Sequence, residues 1–405
     1  MLLLAGNCIG AGMLALPILT GMAGFLPGVL IFSLCWFFMM YTGMLLLEVN
    51  VYYGDRVSII SMAERTLGFW GKLSAWFIYL FLFSSLLVAY VSFGGEFFAV
   101  IASRLGFEGP VWLWSIIFVL LFGIFVVAGT AFVDYLNRVL MAGLILSYFL
   151  FVFIGTGEVD LVNLAYKQWR FMPWIIPVAL TSFGYHNVIP SLSFYLDNDI
   201  KKLRRVVFWG SLLPLVMYVI WGALVLGIIP VDVILGSMQQ GSSPAEVLSG
   251  IQNSWMVSIG LQSLMFFAIA TSFLGCSLGF VDFLADGFKV NGNKILTRLW
   301  ISCLVMGIPY MFSLVYPGIF LTALNYAGGF GAVSLFGILP GLMVWSLKDK
   351  LRKSFFVKRW VLIIVILFSA NIFVLEGLQE AGVSPIKSEL ESINIIEDLK
   401  IDEIE

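Results

Sequence analysis

Eleven stretches of about twenty predominantly apolar residues follow one another along this 405-residue chain, near 2–25, 28–51, 73–101, 112–131, 138–156, 173–196, 206–229, 256–284, 297–316, 318–346 and 359–379. At helical rise each is long enough to cross the roughly 30 Å hydrocarbon layer of a bilayer. A water-soluble surface needs about a quarter of its residues charged, and only 11% are charged here against 61% apolar. The fold class predicted is therefore an all-α membrane protein of about eleven transmembrane helices, with the lipid bilayer as its solvent.

The lysines and arginines give the runs a direction, because cytoplasmic loops collect them. With the N-terminus inside, 17 of the 22 basic residues fall in inside loops, and only Arg104, Lys167, Arg170, Lys387 and Lys400 lie outside. An odd number of spans then puts the C-terminus outside. Between the second and third spans, Ser58–Lys72 reads as a short amphipathic helix at the interface. Residues 230–255 read as a polar loop with a turn or two of helix. The tail 380–405 is acidic and aromatic-free, the composition of a solvated, disordered segment.

Several function classes drop out. The net charge of −2 and the lack of a basic stripe leave no nucleic-acid partner. A single histidine, His186, argues against the usual metal centres. Cys8, Cys35, Cys276 and Cys303 all fall inside apolar runs at spacings that match no zinc site or disulfide framework. Gly10–Ala15 has glycine spacing but membrane helix on both sides, so it is not a dinucleotide loop. No cofactor and no obligate protein partner is expected. An intramembrane enzyme would need catalytic dyads in its spans, and a channel a repeated polar face; neither pattern is present.

Two spans are poor helices. The first carries Gly6-Asn7-Cys8-Ile9-Gly10-Ala11-Gly12 and then Pro17; the sixth carries Ser182-Phe183-Gly184-Tyr185-His186-Asn187 and then Pro190. Glycine clusters at mid-depth break helices, and broken backbone inside a membrane is tolerated only where it lines a cavity. Such glycines also let helices approach closely, which is the plainer reading of either segment alone. Together, five spans apart, they open two five-helix units, 1–156 and 173–346, the second inverted relative to the first. Paired interruptions of this kind point to a secondary-transporter site. The eleventh span, 357–379, stands outside the repeat.

Gly6-Asn7-Cys8-Ile9-Gly10-Ala11-Gly12-Met13-Leu14-Ala15-Leu16-Pro17 resembles the first-helix motif of the hydroxy and aromatic amino acid permease family. Thr181–His186 with Ile189-Pro190-Ser191 is similar to its sixth-helix motif, and Ile269–Gly275 with Asp282–Gly287 to its eighth helix. The likeness runs over nearly the whole chain, nearest to the family's tyrosine-specific transport proteins. Asn187 departs from it, where a small residue such as glycine is expected. The resemblance implies a LeuT-like five-plus-five inverted repeat with one extra helix. It also implies import of tyrosine or tryptophan by symport with alternating access, in a bacterial inner membrane.

A zwitterionic substrate would find donors at the second half of span one, where Gly10, Ala11 and Gly12 expose N–H groups at a positive helix end. Asn7 and Ile9 flank that break. Carbonyls of Phe183, Gly184 and Tyr185 would take the ammonium, with His186 and Asn187 beside them. The ring would stack on Phe183, Tyr185, Tyr90 or Phe93. Intramembrane ionisable residues are functional candidates. His186 reads as a proton carrier, a partner for a substrate hydroxyl, or a cap for freed backbone; Glu96 reads as an outer gate, a proton acceptor or a snorkelling carboxylate. Adjacent Thr271 and Ser272 resemble the hydroxyl pair of a LeuT-like sodium site, but such hydroxyls commonly bond their own helix. The family's association with proton symport favours protons over sodium. A non-transporting amino acid sensor on the same scaffold is the other alternative.

Overall fold

The structure, a computed structural model, describes residues 1–54, 57–239, 244–249, 255–288, 290, 295–347, 350–351 and 358–381. The acidic tail lies outside the described residues from position 382 onward. Everything described is helix, turn or short connection.

The first apolar run is split into α1 (Leu2–Cys8) and α2 (Ala11–Ala23). Then come α3 (Phe25–Tyr53), α4 (Ile59–Arg104), α5 (Val111–Ala128), α6 (Thr130–Gly155) and the single turn α7 (Leu161–Leu164). The sixth run is split into α8 (Met172–Ser182) and α9 (Ile189–Tyr195). After these follow α10 (Ile200–Ile228), the short α11 (Val231–Gln239) and α12 (Pro244–Ser249), α13 (Trp255–Gly287) and α14 (Ile295–Val315). Finally α15 (Phe320–Tyr326) runs through a π-helical stretch, Ala327–Ile338, into α16 (Leu339–Ser346), and α17 (Arg359–Glu380) completes the order. Among the described residues nine helices are long and apolar enough to cross a membrane. The runs expected at 2–25 and 173–196 are the two in halves.

Local chemistry explains most boundaries. Ser58 caps α4 by accepting from the Ser61 N–H at 3.2 Å, and Asp199 caps α10 by accepting from the N–H groups of Lys201 and Lys202. The amphipathic segment expected before span three is helical from Ile59 and joins that span across Gly68, whose φ of 73° belongs to the left-handed region. Span five begins at Thr130, eight residues before the expected 138, because Gly129 alone makes the turn from α5. The loop expected at 230–255 holds more helix than a turn or two, with nine residues in α11.

Large apolar side chains such as Phe37, Leu120, Leu146, Phe153, Met311 and Leu367 stand exposed on the outer faces of the spans. A surface of that kind suits lipid and not water. Cys8, Cys35 and Cys276 are buried among the helices as expected, but Cys303 faces outward.

The packing brings both broken runs to the centre. α2 lies on α8, and α1 meets the turn at His186–Val188. α10 packs on both halves of the first run, while α3 packs on both halves of the sixth. α4 meets α5, α14 and the α15–α16 run; α13 meets α14, α5 and α6. The π-helical stretch closes one flank, pressed so tightly on α8 that a β-carbon at Gly328 would collide with the Pro177 carbonyl. π-helices are rare and cluster at functional places. The glycines of Ala327-Gly328-Gly329-Phe330-Gly331 permit the close approach that this one makes.

Candidate functional site: a cavity between two broken helices

Each break leaves backbone groups that the bilayer cannot satisfy. α1 stops at Cys8, Ile9 is extended (φ −75°, ψ 106°), and α2 starts after Gly10, which has no side chain to cap it. α8 stops at Ser182, and the chain then crosses Phe183–Tyr185 and one tight turn, His186–Val188, before α9.

Most of the freed carbonyls are taken by side chains. The Tyr218 hydroxyl, on the unbroken α10, lies 2.7 Å from the Cys8 carbonyl and 2.9 Å from the Ser182 carbonyl. Its one proton is thus shared between the ends of both first halves. Trp221, one turn further on, donates its indole N–H to the Met13 carbonyl at 2.9 Å. Asn7 donates its amide to the Gly184 carbonyl (2.7 Å) and to Asn187 Oδ1 (3.1 Å), tying the two breaks together directly. The Tyr185 carbonyl accepts the Val188 N–H. Of the three carbonyls expected to face an ammonium, two are therefore already engaged.

Between the breaks lies a cavity of about 510 Å³, inside the roughly 300–1,000 Å³ range of small-molecule sites. Asn7, Ile9, Tyr90, Gly184, Asn187, Thr271 and Ser272 line it, so seven of the residues expected from sequence meet in one place. Tyr90, Phe83 and Phe336 supply aromatic faces and Leu82, Leu86 and Met141 apolar wall. The polar positions are Asn7, Asn187, Thr181, Thr271, Ser272 and Asn137, and the last has a buried Oδ1 with no hydrogen-bond partner.

Other expected residues do not line the cavity. Phe183 is fully buried against Tyr218, with ring centroids 5.2 Å apart. Tyr185 is equally buried and donates its hydroxyl to the Met39 carbonyl at 3.1 Å. Neither ring is placed to stack on a substrate in this conformation, because each fills the space behind the broken backbone. Phe93 packs against Phe97 and Phe320 instead of the cavity. Gly10 and Gly12 are packing positions: a β-carbon there would strike the hydroxyl of Ser272 or of Ser182.

His186 is wholly buried one layer behind the cavity. Its Nε2 lies 3.0 Å from the Thr42 hydroxyl, its Nδ1 has no hydrogen-bond partner, and its ring stacks between Tyr185 and Phe336. Through Phe336 it touches the cavity wall. Glu96 is buried away from the cavity, where Ser92 donates to it at 2.9 Å. Thr271 donates to the Phe267 and Ala268 carbonyls of its own helix, the ordinary habit of a membrane hydroxyl.

A second cavity, of about 870 Å³, adjoins the first, and Asn187 lines both. Its wall is mixed, with Glu64, Lys72, Asp282 and Asp286 among aromatic and aliphatic side chains such as Trp76, Tyr79 and Phe283. Lys72 and Glu64 pair across 3.0 Å on its rim, and Arg298 joins Asp282 (3.2 Å) to the Val126 carbonyl (2.7 Å). Glu48 at the end of α3 is bound by Arg204 of α10, whose Nε lies 3.1 Å away. The two cavities thus meet at Asn187 of the second break.

Sequence reasoning missed Tyr218, Trp221, Phe83, Met141, Asn137 and Phe336. An isolated tyrosine and tryptophan in an uninterrupted span, at Tyr218 and Trp221, are the only marks that two buried carbonyl donors leave in sequence.

Comparison with known proteins agrees with this architecture. The model of the tryptophan/tyrosine permease family matches residues 1–376. A tryptophan-specific transport protein of Haemophilus influenzae is 30% identical over 373 residues, covering 87% of this chain and 88% of its own length. The tyrosine-specific transport system 2 of the same organism is 31% identical over 360 residues, covering 85% and 86%. A tryptophan-specific transport protein of Pseudomonas aeruginosa is 30% identical over 390 residues, 91% of each chain. An apolar helical bundle, two spans broken face to face and a ligand-sized cavity between them belong together in a multi-pass permease and not an enzyme: the chain belongs to the tryptophan/tyrosine permease family.

Proposed function

We propose that the chain is a secondary active transporter that imports tyrosine or tryptophan by proton symport with alternating access, in a bacterial inner membrane. The observation that carries the reading is the 510 Å³ cavity held between the two broken runs. It has aromatic and apolar walls on one side, and the start of α2 lies behind Ser272 of its lining. The N–H groups and dipole of α2 take the substrate carboxylate. Asn7 must release the Gly184 carbonyl before an ammonium occupies it. The ring lies among Tyr90, Phe83 and Phe336. The relatives' names pair tryptophan with tyrosine, and a cavity of this volume suits either.

The nine helices long enough to span and the two broken runs make eleven spans, arranged as a LeuT-like repeat of 1–156 and 173–346 with 357–379 appended. Support comes from the packing, which largely recurs when each span is advanced by five. α10 on the first run matches α3 on the sixth; α4 against α14 matches α13 against α5; α13 with α6 matches α4 with the α15–α16 run. Loop charge places the N-terminus in the cytoplasm and the C-terminus outside. In that frame the larger cavity opens inward, so the conformation is the inward-facing one. Coupling is assigned to protons, with His186 and Glu96 as the buried ionisable groups nearest the moving elements. Sodium bound near Thr271 and Ser272 is the second reading, because both hydroxyl-bearing residues line the cavity.

Uptake of labelled tyrosine and tryptophan into proteoliposomes under an imposed pH or sodium gradient tests all of this. Accumulation driven by inward-directed protons is expected. Accumulation that follows sodium alone would transfer the coupling to the second reading, and binding without flux would make the protein a sensor.

A further inference from the structure

Glu376 sits on α17, away from the cavity. Its side chain is only 1% exposed, and its Oε2 is buried with no hydrogen-bond partner. The carboxyl rests in a notch of the π-helical stretch: a β-carbon added at Gly329 would lie 2.7 Å from Glu376 Oε2 and Cγ. An anion in such a place would lack the donors that offset desolvation, whereas a protonated carboxyl carries its own.

Among the described residues the surroundings hold no counter-charge. On its own helix the nearest charged group is Glu380, one turn on, with Tyr326 of α15 beside it. The π-helical stretch, α8 and α16, which pack on α17, bear no charged side chain. α3 meets α17 through Phe38 against Phe368 and has Glu48 as its only charge. Exposed Glu380, one turn on, is the last residue of the helix, a route for a proton from water.

The same π-helical stretch has a second face on the site. Gly328 is pressed on Pro177 of α8, Ala332 and Phe336 line the cavity, and Phe336 stacks on His186 with centroids 4.6 Å apart. One rare, strained-register element therefore touches the orphaned carboxyl on one side and the substrate cavity on the other. We propose that Glu376 is a proton-binding residue, protonated in this conformation, that acts on the cavity through the π-helical stretch of span ten. The step is reversible protonation: the carboxylate takes a proton from water to form an O–H bond and returns it to water when the flank opens. This rests on the proton-symport reading.

The test uses the full-length protein in proteoliposomes. E376Q, fixed in the neutral form, is expected to keep tyrosine exchange between equal internal and external pools within about a factor of two. It is expected to lose on the order of tenfold or more of the accumulation driven by a pH gradient. Wild-type and E376Q accumulating alike would overturn the role of Glu376 and leave proton symport standing. Failure of the wild-type protein to respond to a pH gradient would overturn both. Should E376Q not reach the membrane, dicyclohexylcarbodiimide, which modifies protonated carboxyls in apolar settings, decides on the wild-type protein. Glu376 should be labelled in acid, more slowly as the pH rises and more slowly with saturating tyrosine. No labelling at any pH, or labelling indifferent to pH, would overturn the proposal.

Discussion

Replacing Gly10 by alanine tests whether the first break is held by close packing or by backbone conformation. The φ of Gly10 is −176°, extended backbone that alanine adopts without strain. A β-carbon there falls inside 3.0 Å of the Ser272 hydroxyl oxygen, closer than β-carbons come, while the Ser272 β-carbon at 3.5 Å and the Ala268 carbonyl at 3.9 Å remain ordinary neighbours. The conflict thus comes down to one oxygen atom. Overpacking of this size costs about 1–3 kcal/mol, and the Ser272 hydroxyl escapes it only by turning away. Gly10→Ala is expected to lower thermal stability by that amount and to reduce tyrosine uptake. In Gly10→Ala/Ser272→Ala the oxygen is gone, so stability should return to within about 0.5 kcal/mol of Ser272→Ala alone, a strong coupling for a double-mutant cycle. Unfolding of the four purified proteins, followed by tryptophan fluorescence, measures the cycle. Additive effects would refute the packing argument. Stability regained without uptake would show that the Ser272 hydroxyl itself serves the transported species.

The remaining expectations use the same assays. Tyr218→Phe removes the proton shared by the Cys8 and Ser182 carbonyls and should destabilise by about 1–3 kcal/mol; an unchanged unfolding temperature would contradict its role as common donor. Asn7→Asp removes the donor to the Gly184 carbonyl and sets a carboxylate against it, a repulsion that turning the Asn187 amide to donate does not relieve. Uptake should fall on the order of tenfold or more at near-normal membrane abundance, and wild-type uptake would sink the assignment. Glu48→Gln removes the carboxylate by which Arg204 ties α10 to α3 and should cost more stability in the wild-type background than when Arg204→Met is already present; equal costs would deny the pair a role. Asp199 is held below the usual carboxylate range, chiefly by the Lys202 N–H and then by the Lys202 side chain. Its cap is fully present above the unfolded pKa and weakens as pH falls through the lower folded one. Asp199→Asn should therefore flatten the acid limb of the stability curve, and an identical limb in both proteins would exclude Asp199 as a contributor.

The spans and both breaks were legible because each leaves a local signature. Apolar runs of membrane length announce helices, and glycine, asparagine and proline at mid-depth announce where helices stop: Ile9–Gly10 and Phe183–Tyr185 fall inside the segments read as broken. What closes the site was not legible. Tyr218 reaches back 210 residues to Cys8, and Phe83, Leu86, Met141 and Phe336 come from three unbroken stretches. In a chain that is 61% apolar, a phenylalanine facing a cavity and one facing lipid have the same neighbours in sequence, so periodicity loses its contrast. The rings of Phe183 and Tyr185 misled for a related reason. A motif residue at a break is as able to fill the space behind the backbone as to face the ligand, and only the direction of the chain through the break decides. The π-helical stretch shows as a glycine cluster, but the register that makes it π and not α is set by α8 and α17, which press on it from two sides.

The distribution of satisfied groups says which end of an amino acid anchors it. A break in low dielectric frees carbonyls at the end of one half-helix and N–H groups at the start of the next. On the carbonyl side the protein has largely provided for itself: Tyr218 serves Cys8 and Ser182, and Asn7 serves Gly184. On the N–H side the two breaks differ. The start of α9 is followed at once by Pro190, which has no N–H to offer. The start of α2 presents Ala11 and Gly12 at the positive end of a 13-residue helix. The better place for an anion is therefore the start of α2, at the first break. A substrate that lacks its carboxylate should lose most of its binding, whereas one that lacks its amino group leaves the bond from Asn7 to the Gly184 carbonyl in place and should lose less. Competition by tyramine and by 4-hydroxyphenylpropionate against labelled tyrosine separates the two, and the argument fails if tyramine is the better competitor.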